Sequence, residues 1–240
     1  MGRYYYDLHT HSALSPCADD DNTPNNLLGM ASISGINILA LTDHNSTKNC
    51  PAFFDAAKRY GIIPVAGMEL TTSEDIHVVC LFERLSDALS FGKYVDSRLV
   101  RIENRPDIFG TQYVFDEEDN VIGEEPYLLS NATEISIEDV TELVGKYNGI
   151  CYPAHIDRDS NGIIATLGTL PKNLNFSCVE FRNPEKIEEY TKKYFIADKT
   201  AIVSSDAHCL TDIRDKEFYF DIDGEATPEQ IRKRLFELLR

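Results

Sequence analysis

The stretch Tyr4-Tyr5-Tyr6-Asp7-Leu8-His9-Thr10-His11-Ser12 carries two histidines two residues apart, directly after a short aromatic run. In an extended chain, residues i and i+2 point to the same face. His9 and His11 therefore present two imidazoles to one point at the end of a first strand. A single pair of this kind is more often packed or solvated than bound to a metal, so its interpretation depends on the rest of the chain.

The other four histidines also lie in polar motifs. These motifs are Thr42-Asp43-His44-Asn45, Asp75-Ile76-His77, Pro153-Ala154-His155 and Ser205-Asp206-Ala207-His208. Most of them follow short apolar runs that are typical of buried strands. Acidic residues accompany the histidines, namely Asp7, Asp19, Asp43, Glu69 and Asp206. Imidazoles and carboxylates mixed in this way favour Zn, Mn or Fe over Ca or Mg alone.

The composition limits the classes of protein to which the chain can belong. Its 240 residues, 42% of them hydrophobic, suit one large α/β domain or two small ones. Without an apolar segment of ~20 residues or a secretion signal, we expect a cytoplasmic protein that does not bind membranes. The six scattered cysteines are expected to be reduced thiols. A net charge of -17 disfavours nucleic acid as a partner.

Apolar runs alternate with helical patterns along the chain, which predicts a parallel α/β sheet or barrel. The polar motifs fall after strands, where both architectures build their sites. The spacing alone does not separate a closed barrel from an open sheet. We predict a single domain over 1–240, a helix over 85–102 and an insertion over 104–135. The insertion is predicted to contain a hairpin formed by 113–115 and 121–123.

Several close divalent cations would lower the pKa of a bound water and neutralise the charge of a phosphoryl group. Metal-assisted hydrolysis is therefore the reaction class that these residues favour. In order, the motifs read D-x-H-x-H-S, T-D-H, G-x-E, H, P-A-H and S-S-D-A-H. This series, from Asp7 to His208, resembles the PHP family, named for polymerase and histidinol phosphatase. The resemblance implies a distorted, TIM-like (β/α)7 barrel, up to three divalent metals and phosphoester hydrolysis.

The resemblance also implies a set of metal ligands, carried over motif by motif. One metal would be held by His9, His11, Glu69 and Asp206, a second by Glu69, His77 and His155, and a third by Asp19, His44 and His208. The expected cofactors are thus two to three ions of Zn, Mn or Fe. In the loop of Asp19, Asp20 or Cys17 could take the same place.

Three further expectations concern residues around these ligands. His77 begins its predicted strand rather than ending it, which predicts that this strand runs against its neighbours. Asp7 and Asp43 directly precede other motif residues and are expected to orient imidazoles rather than bind metal. His208 and Asp206 are the candidates for proton transfer.

The leading functional hypothesis is a phosphoesterase in which a metal-bridging hydroxide attacks a small phosphomonoester. The alternatives are a PHP-type nuclease and a non-catalytic, metal-binding regulatory module. Arg158 and Arg182 are candidates for binding the substrate phosphate, because guanidinium groups can hold two phosphate oxygens at once. The simpler alternative pairs Arg158 with Asp157 or Asp159 at the surface. The sequence leaves open the substrate, the native metal and the oligomeric state.

Overall fold

The structure is a computed structural model that describes residues 2–222 and 227–240. The strands are β1 (Gly2–Asp7), β2 (Ile38–Leu41), β3 (Ile63–Thr71), β4 (His77–Phe82), β5 (Tyr113–Phe115), β6 (Val121–Glu124), β7 (Gly149–Pro153), β8 (Cys178–Phe181), β9 (Thr200–Val203) and β10 (Tyr219–Ile222). The helices are α1 (Pro24–Ile33), α2 (Cys50–Tyr60), α3 (Leu85–Asp96), α4 (Pro106–Phe109), α5 (Ile137–Lys146), α6 (Ile163–Leu167), α7 (Ile187–Tyr194) and α8 (Pro228–Leu239).

Local sequence signals account for several helix boundaries. The Thr23 side chain caps α1 by accepting a hydrogen bond from the Asn26 amide, and Pro24 occupies the first turn. Helix α2 ends at Gly61, whose φ of 67° is the left-handed conformation that glycine adopts at little cost. Thr227 and Gln230 form the capping box that opens α8.

A six-stranded sheet in the order β10-β1-β2-β3-β4-β7 forms the main part of the fold. β1, β2 and β3 run parallel, whereas β4 is antiparallel to both β3 and β7. β8 and β9 form a separate parallel pair. The predicted reversal of the strand that begins at His77 is confirmed. The predicted alternation of strands and helices is wrong here, because a tight turn joins β3 to β4 and leaves no room for a crossover helix.

The sheet curls until the β8–β9 pair reaches both of its sides. Thr10 and Ala207 form a parallel bridge just beyond β1 and β9, and the His11 amide donates to the Ala207 carbonyl at 3.0 Å. On the other side, the Ile156 amide beyond β7 donates to the Glu180 carbonyl in β8 at 2.9 Å. Seven strands therefore surround one interior, with β10 added antiparallel outside β1. The α/β fold with a distorted barrel is confirmed.

Alternate strand residues divide the apolar core into two parts. One part faces the barrel interior and includes Tyr6, Leu8, Ile38, Ala40, Val65, Val79, Tyr152, Ala154 and Cys178. Apolar residues of α8, such as Leu235 and Phe236, pack against this interior. The intervening residues, such as Leu39 and Leu41, pack outward against the helices. This alternation leaves the strand ends free to carry the polar motifs.

The helix predicted over 85–102 is shorter than expected and ends at Asp96. The chain beyond it becomes extended and pairs with a later segment, through bridges between Leu99 and Thr133 and between Glu103 and Tyr127. These pairings outweigh the local helix preference of the segment. The predicted hairpin is present as β5 and β6, which pair antiparallel. The domain and insertion boundaries at 1–240 and 104–135 stay predictions.

Within residues 2–222 and 227–240, no helix combines the length and the apolar character needed to cross a bilayer.

Candidate metal centre

All six histidines gather at one end of the barrel. His9 and His11 follow β1, His44 follows β2, His155 follows β7 and His208 follows β9. His77 lies at the start of β4, and its register partner is Thr71 at the end of β3. Because β4 runs antiparallel, its first residue lies beside the last residues of its neighbours. The reversed strand therefore brings His77 to the same end as the other histidines.

A first group of possible ligand atoms comes from His9, His11, Glu69 and Asp206, all buried and all within 4.8 Å of one another. The two Nε2 atoms of His9 and His11 are 3.1 Å apart. Asp206 Oδ1 lies 3.4 Å from His9 Nε2 and 3.3 Å from His11 Nε2. Two imidazoles and two carboxylates thus face one small volume, which is a donor set suited to a divalent transition metal.

A second group consists of His44, His77 and the same glutamate, and His155 lies beside it. Glu69 Oε2 lies 3.1 Å from His44 Nδ1, and Glu69 Oε1 lies 2.9 Å from His77 Nδ1. His155 Nε2 is 3.0 Å from Glu69 Oε1. The carboxylate of Glu69 is therefore common to both groups.

A third group consists of three histidines, His11, His44 and His208. The carboxylate of Asp19 is in none of the groups found among the described residues. Asp19 is an exposed residue whose amide donates to the His208 carbonyl at 2.8 Å, and Asp20 and Cys17 are exposed as well. The structure thus brings eight of the nine predicted ligands together and leaves the carboxylate of Asp19 apart.

Several buried polar atoms of these groups lack hydrogen-bond partners in the described part of the chain and are free to bind cations. Glu69 Oε2, Asp206 Oδ1, His44 Nδ1 and His77 Nδ1 are buried. Although Glu69 oxygens lie within 3.1 Å of both rings, none of these four atoms makes a hydrogen bond of favourable geometry with the described residues. Buried polar atoms without partners are costly, and two carboxylates in one buried volume repel each other. Divalent ions would bind these free lone pairs and offset that charge, so the residues fit the metals that the resemblance implies.

The protonation states of Glu69, His11 and His44 also suit metal binding. Burial alone would raise the pKa of Glu69, but the imidazoles of His77, His9 and His44 outweigh it and hold that pKa well below its usual range. Burial, and then the neighbouring His208, lower the pKa of His11 to about 4. Burial also holds the pKa of His44 well below its usual value. Ionised carboxylates and neutral imidazoles are the forms that bind metals. His9 differs: burial lowers its pKa, but the carboxylates of Glu180, Glu69 and Asp206 outweigh that effect and raise the pKa well above its usual value, so a metal would have to displace a proton from this ring.

A comparison with protein families identifies the chain. The model described as PHP domain matches residues 7–195, most of the sequence. The chain belongs to the PHP domain family. Among curated relatives, a 5'-3' exoribonuclease of Haemophilus influenzae is 38% identical to this PHP domain over 79 residues. That match spans 32% of this chain and 28% of the relative, so it covers less than a third of either protein.

Solved structures share the fold of this PHP domain. The lesion-specific endonuclease PfuEndoQ of Pyrococcus furiosus aligns with a TM-score of 0.63 and 15% identity, over 87% of this chain and 49% of that one. A protein of Bifidobacterium adolescentis, provisionally described as a metal-dependent phosphoesterase, aligns with a TM-score of 0.58 and 16% identity. It covers 85% of this chain and 88% of its own. At these identities the likeness is evidence for the fold alone.

Asp43 contacts the candidate metal centre only through neighbouring hydroxyl groups. Its carboxylate accepts hydrogen bonds from the Ser12 amide at 2.7 Å, the Ser12 hydroxyl at 2.7 Å and the Ser15 hydroxyl at 2.8 Å. Ser15 Oγ in turn lies 3.0 Å from His11 Nδ1. Asp43 therefore acts on an imidazole through Ser15 rather than by direct contact. Burial raises the pKa of Asp43 to about 7.

Asp7 links the ends of two strands through hydrogen bonds. Its Oδ1 accepts from the His9 amide at 3.4 Å and from the Ser205 amide at 3.1 Å, which ties the end of β1 to the end of β9. No contact between the Asp7 carboxylate and an imidazole ring is found among the described residues. Burial raises the pKa of Asp7 to about 6.

Sequence reasoning missed two residues that contact the histidines. Glu180 Oε2 lies 2.8 Å from His9 Nδ1, and the Ser15 hydroxyl contacts His11 as described above. Glu180 had a signal in the sequence, because it is the single acidic residue in the otherwise apolar strand β8. Ser15 lies in a polar loop and had no comparable signal.

Two arginines lie beside the centre on the side of Asp206. Arg158 Nη1 donates to Asp206 Oδ2 at 2.8 Å, and Arg182 Nη1 lies 3.8 Å from the same oxygen. Both side chains remain more than a third exposed. Arg158 forms an ion pair with neither Asp157 nor Asp159 among the described residues. Asp157 instead accepts from the Arg182 amide at 3.0 Å. Both guanidinium groups are thus close to the proposed metals and accessible from solvent.

Proposed function

We propose that this PHP domain is a metal-dependent phosphoesterase that hydrolyses a small phosphomonoester. One observation carries the proposal: buried imidazoles surround the shared carboxylate of Glu69, and two accessible arginines lie beside Asp206. Phosphoryl transfer depends on neutralising the charge on the oxygens of the transferred group, which cations bound by the imidazoles and carboxylates would do together with the two guanidinium groups.

The proposed ligands are the residues of the first two groups together with His155, which contacts Glu69. An imidazole nitrogen binds one ion, so a histidine shared between groups cannot serve both through the same atom. His11 Nδ1 is engaged by Ser15, which leaves only its Nε2 for metal. We therefore propose two ions of Zn, Mn or Fe, and Glu69 would be a ligand that both sites share. A third ion at His44 and His208 requires the carboxylate of Asp19 to move toward them, and we expect it to bind more weakly.

Bound divalent metals would supply a hydroxide nucleophile at neutral pH and neutralise phosphoryl charge. The chain's own residues have the remaining tasks. Arg158 and Arg182 bind and orient the outer phosphate oxygens. His208 is the most exposed of the six histidines and is proposed to protonate the leaving oxygen from Nε2, because its Nδ1 contacts the Asp206 carbonyl at 2.8 Å. Asp206 is a weaker candidate for this role, since both of its oxygens have close neighbours. Proton transfer by His208 and ligation of a third metal through the same nitrogen exclude each other.

A PHP-type nuclease is the second candidate. The relative named as a 5'-3' exoribonuclease favours it. The net charge of -17 counts against it, because nucleic-acid binding depends on neutralising many phosphates. A non-catalytic regulatory module is less well supported, because a purely structural metal site would not place two accessible arginines beside its ligands.

A hydrolysis screen tests the proposal. Protein loaded in turn with Mn, Zn or Fe is given small phosphomonoesters and, side by side, single-stranded RNA and DNA. We expect phosphate release from at least one small ester to exceed mononucleotide release from either polymer. Faster release from a polymer would favour the nuclease instead. Loss of both activities in every metal form would contradict the enzymatic proposal.

Single substitutions test the ligand assignment. We expect His9→Ala and Asp206→Ala each to abolish hydrolysis and to lower the metal content, while the circular dichroism spectrum stays that of wild type. Asp107→Ala is the matched control, since Asp107 is exposed and pairs with Arg105 away from the centre. Activity above a tenth of wild type in both ligand variants would mean that the site lies elsewhere.

A further inference from the structure

Glu180 is a wholly buried carboxylate in the barrel interior. Side chains two residues apart on a strand face the same way, and Cys178 belongs to the interior part of the core, whereas Val179 and Phe181 belong to the outer part. Glu180 therefore faces inward, below the metal centre. A carboxylate in such a position is strongly destabilising unless it is well paired.

One oxygen of Glu180 accepts two hydrogen bonds. Glu180 Oε2 lies 2.8 Å from His9 Nδ1 and accepts from the His155 amide at 3.0 Å. His9 belongs to the first ligand group, and His155, which is proposed as a ligand of the second metal, contacts Glu69. A single buried side chain thus contacts a member of each proposed metal site.

The contact with Glu180 fixes the tautomer of His9. A carboxylate can only accept, so the Nδ1 of His9 must carry the proton. The Nε2 of His9 is then the atom available to metal, and it is the atom that faces Asp206 and His11. Among the six histidines, all of them described, His9 is the one whose second ring nitrogen is held by a carboxylate. His11 contacts a serine hydroxyl there, and His208 contacts a backbone carbonyl.

The contact with His155 holds an unusual backbone conformation. His155 has a φ of 28°, in the left-handed region that residues other than glycine rarely adopt. Such a conformation persists only where surrounding contacts enforce it. The hydrogen bond from the His155 amide to Glu180 is one such contact. A second is the hydrogen bond from the Arg158 amide to the His155 carbonyl at 2.9 Å.

We propose that Glu180 is a positioning residue that fixes the tautomer of His9 and the backbone conformation of His155. Through these two histidines it controls the affinity of both proposed metal sites. The inference deepens the proposed function and rests on its assignment of these histidines as metal ligands. Carboxylates that hold ligating histidines in this way typically change metal affinity 10- to 100-fold when they are removed.

The test compares Glu180→Ala, Glu180→Gln and the control Glu125→Gln. Glu125 is also a buried glutamate, but it pairs with Lys48 and contacts none of the proposed ligands. Calorimetric titration of Mn or Zn into metal-free protein gives the Kd. We expect Glu180→Ala to weaken binding about 10- to 100-fold. Glu180→Gln should lose less, because its amide oxygen can still accept, and Glu125→Gln should match wild type.

A second readout does not depend on metal. Nuclear magnetic resonance of metal-free protein should show a slowly exchanging Nδ1 proton on His9, assigned by its absence in His9→Ala. We expect this proton to be retained in Glu125→Gln and lost to exchange in Glu180→Ala.

The two readouts together separate the possible failures. Folded Glu180 variants with a wild-type Kd and a protected His9 proton would overturn the inference. If wild-type protein binds no metal, the proposed function fails, and the His9 proton still decides whether Glu180 positions that ring. If Glu180→Ala does not fold, Glu180→Gln decides: an unchanged Kd and an unchanged His9 proton would overturn the inference, and a weaker Kd would support it.

Discussion

At Asp206 the two oxygens of one carboxylate have different neighbours. Oδ1 faces the imidazoles of His9 and His11, and Oδ2 faces Arg158. A phosphate bound between the metals and the arginines would therefore compete with Asp206 for the guanidinium. If Arg158 binds the phosphate as proposed, this arrangement would hold it near the site before substrate arrives and would reduce the ordering that binding requires.

We predict that Arg158→Ala lowers kcat/KM on the best ester about 10- to 1000-fold, because phosphoryl oxygens lose a charged donor in the transition state. Arg158→Lys should fall in the same range, since an ammonium cannot hold two oxygens as a guanidinium does. Steady-state kinetics with elemental analysis checks both, and the metal content should be unchanged. Arg105→Ala, an exposed arginine paired with Asp107, is the control. Full activity in Arg158→Ala would make Arg182 the residue to test.

Buried thiols lead to a prediction about alkaline pH. Burial raises the pKa of Cys50 to about 12, above the usual value near 9. Between those pH values the folded protein keeps a proton that the unfolded chain loses, so this group makes the free energy of unfolding fall as pH rises. Cys50→Ala should be less stable than wild type at pH 8. Above pH 9 the wild-type protein loses stability through this thiol and the variant does not. The difference in free energy of unfolding between them should therefore shrink, by at most about 1.4 kcal/mol per pH unit. Urea unfolding at a series of pH values measures this difference. A difference that does not change with pH would contradict the raised pKa of Cys50.

At the scale of elements, β3 and β4 bring the centre together. β3 carries Glu69 into the middle of the histidines, and the reversed β4 starts with His77 beside it. Close packing along this pair depends on Gly67. A Cβ atom at Gly67 would lie 2.6 Å from the Cys80 carbonyl oxygen and 2.8 Å from a methyl group of Leu81. The two strands can approach this closely because position 67 has no side chain.

We predict that Gly67→Ala lowers the free energy of unfolding by about 1–3 kcal/mol, as overpacked core substitutions do. It should also weaken metal binding, because Glu69 lies two residues along the same strand. Gly145→Ala is the matched control: Gly145 lies in α5, and an alanine methyl group there would have no other atom within 4 Å. That change should stabilise the protein by up to about 1 kcal/mol, since alanine favours helices. Urea unfolding measures both, and equal effects would contradict the packing argument.

For the molecule as a whole, we expect the proposed metal centre and the apolar core to contribute separately to stability. The two parts of the core involve the strands and helices along the chain and do not depend on the polar end of the barrel. At that end, the buried carboxylates and imidazoles are suited to bound cations. A metal-free protein should therefore remain folded but be less stable.

We predict that chelation lowers the Tm and that Mn or Zn restores it. A ligand present at 100 times its Kd stabilises the folded state by about 2.7 kcal/mol. Differential scanning calorimetry of loaded and chelated protein measures the shift, and circular dichroism checks that the chelated protein is folded. His9→Ala should show a smaller response to metal than wild type. An identical Tm with and without metal in the wild-type protein would contradict the proposed centre.

The sequence by itself determined the features that rest on local spacing. The i, i+2 pair His9 and His11 and the motifs after apolar runs follow from short-range periodicity. The reversal of the strand at His77 follows once the ligand set implied by the family resemblance is added. Contacts between distant positions depended on the closure of the barrel. Only that closure brings Glu180 to His9 across 171 positions, and Arg158 to Asp206 across 48. It also leaves the exposed carboxylate of Asp19 outside the ligand groups. The physical reason is that strand periodicity decides which way a side chain faces, whereas sheet curvature decides which other side chains it meets.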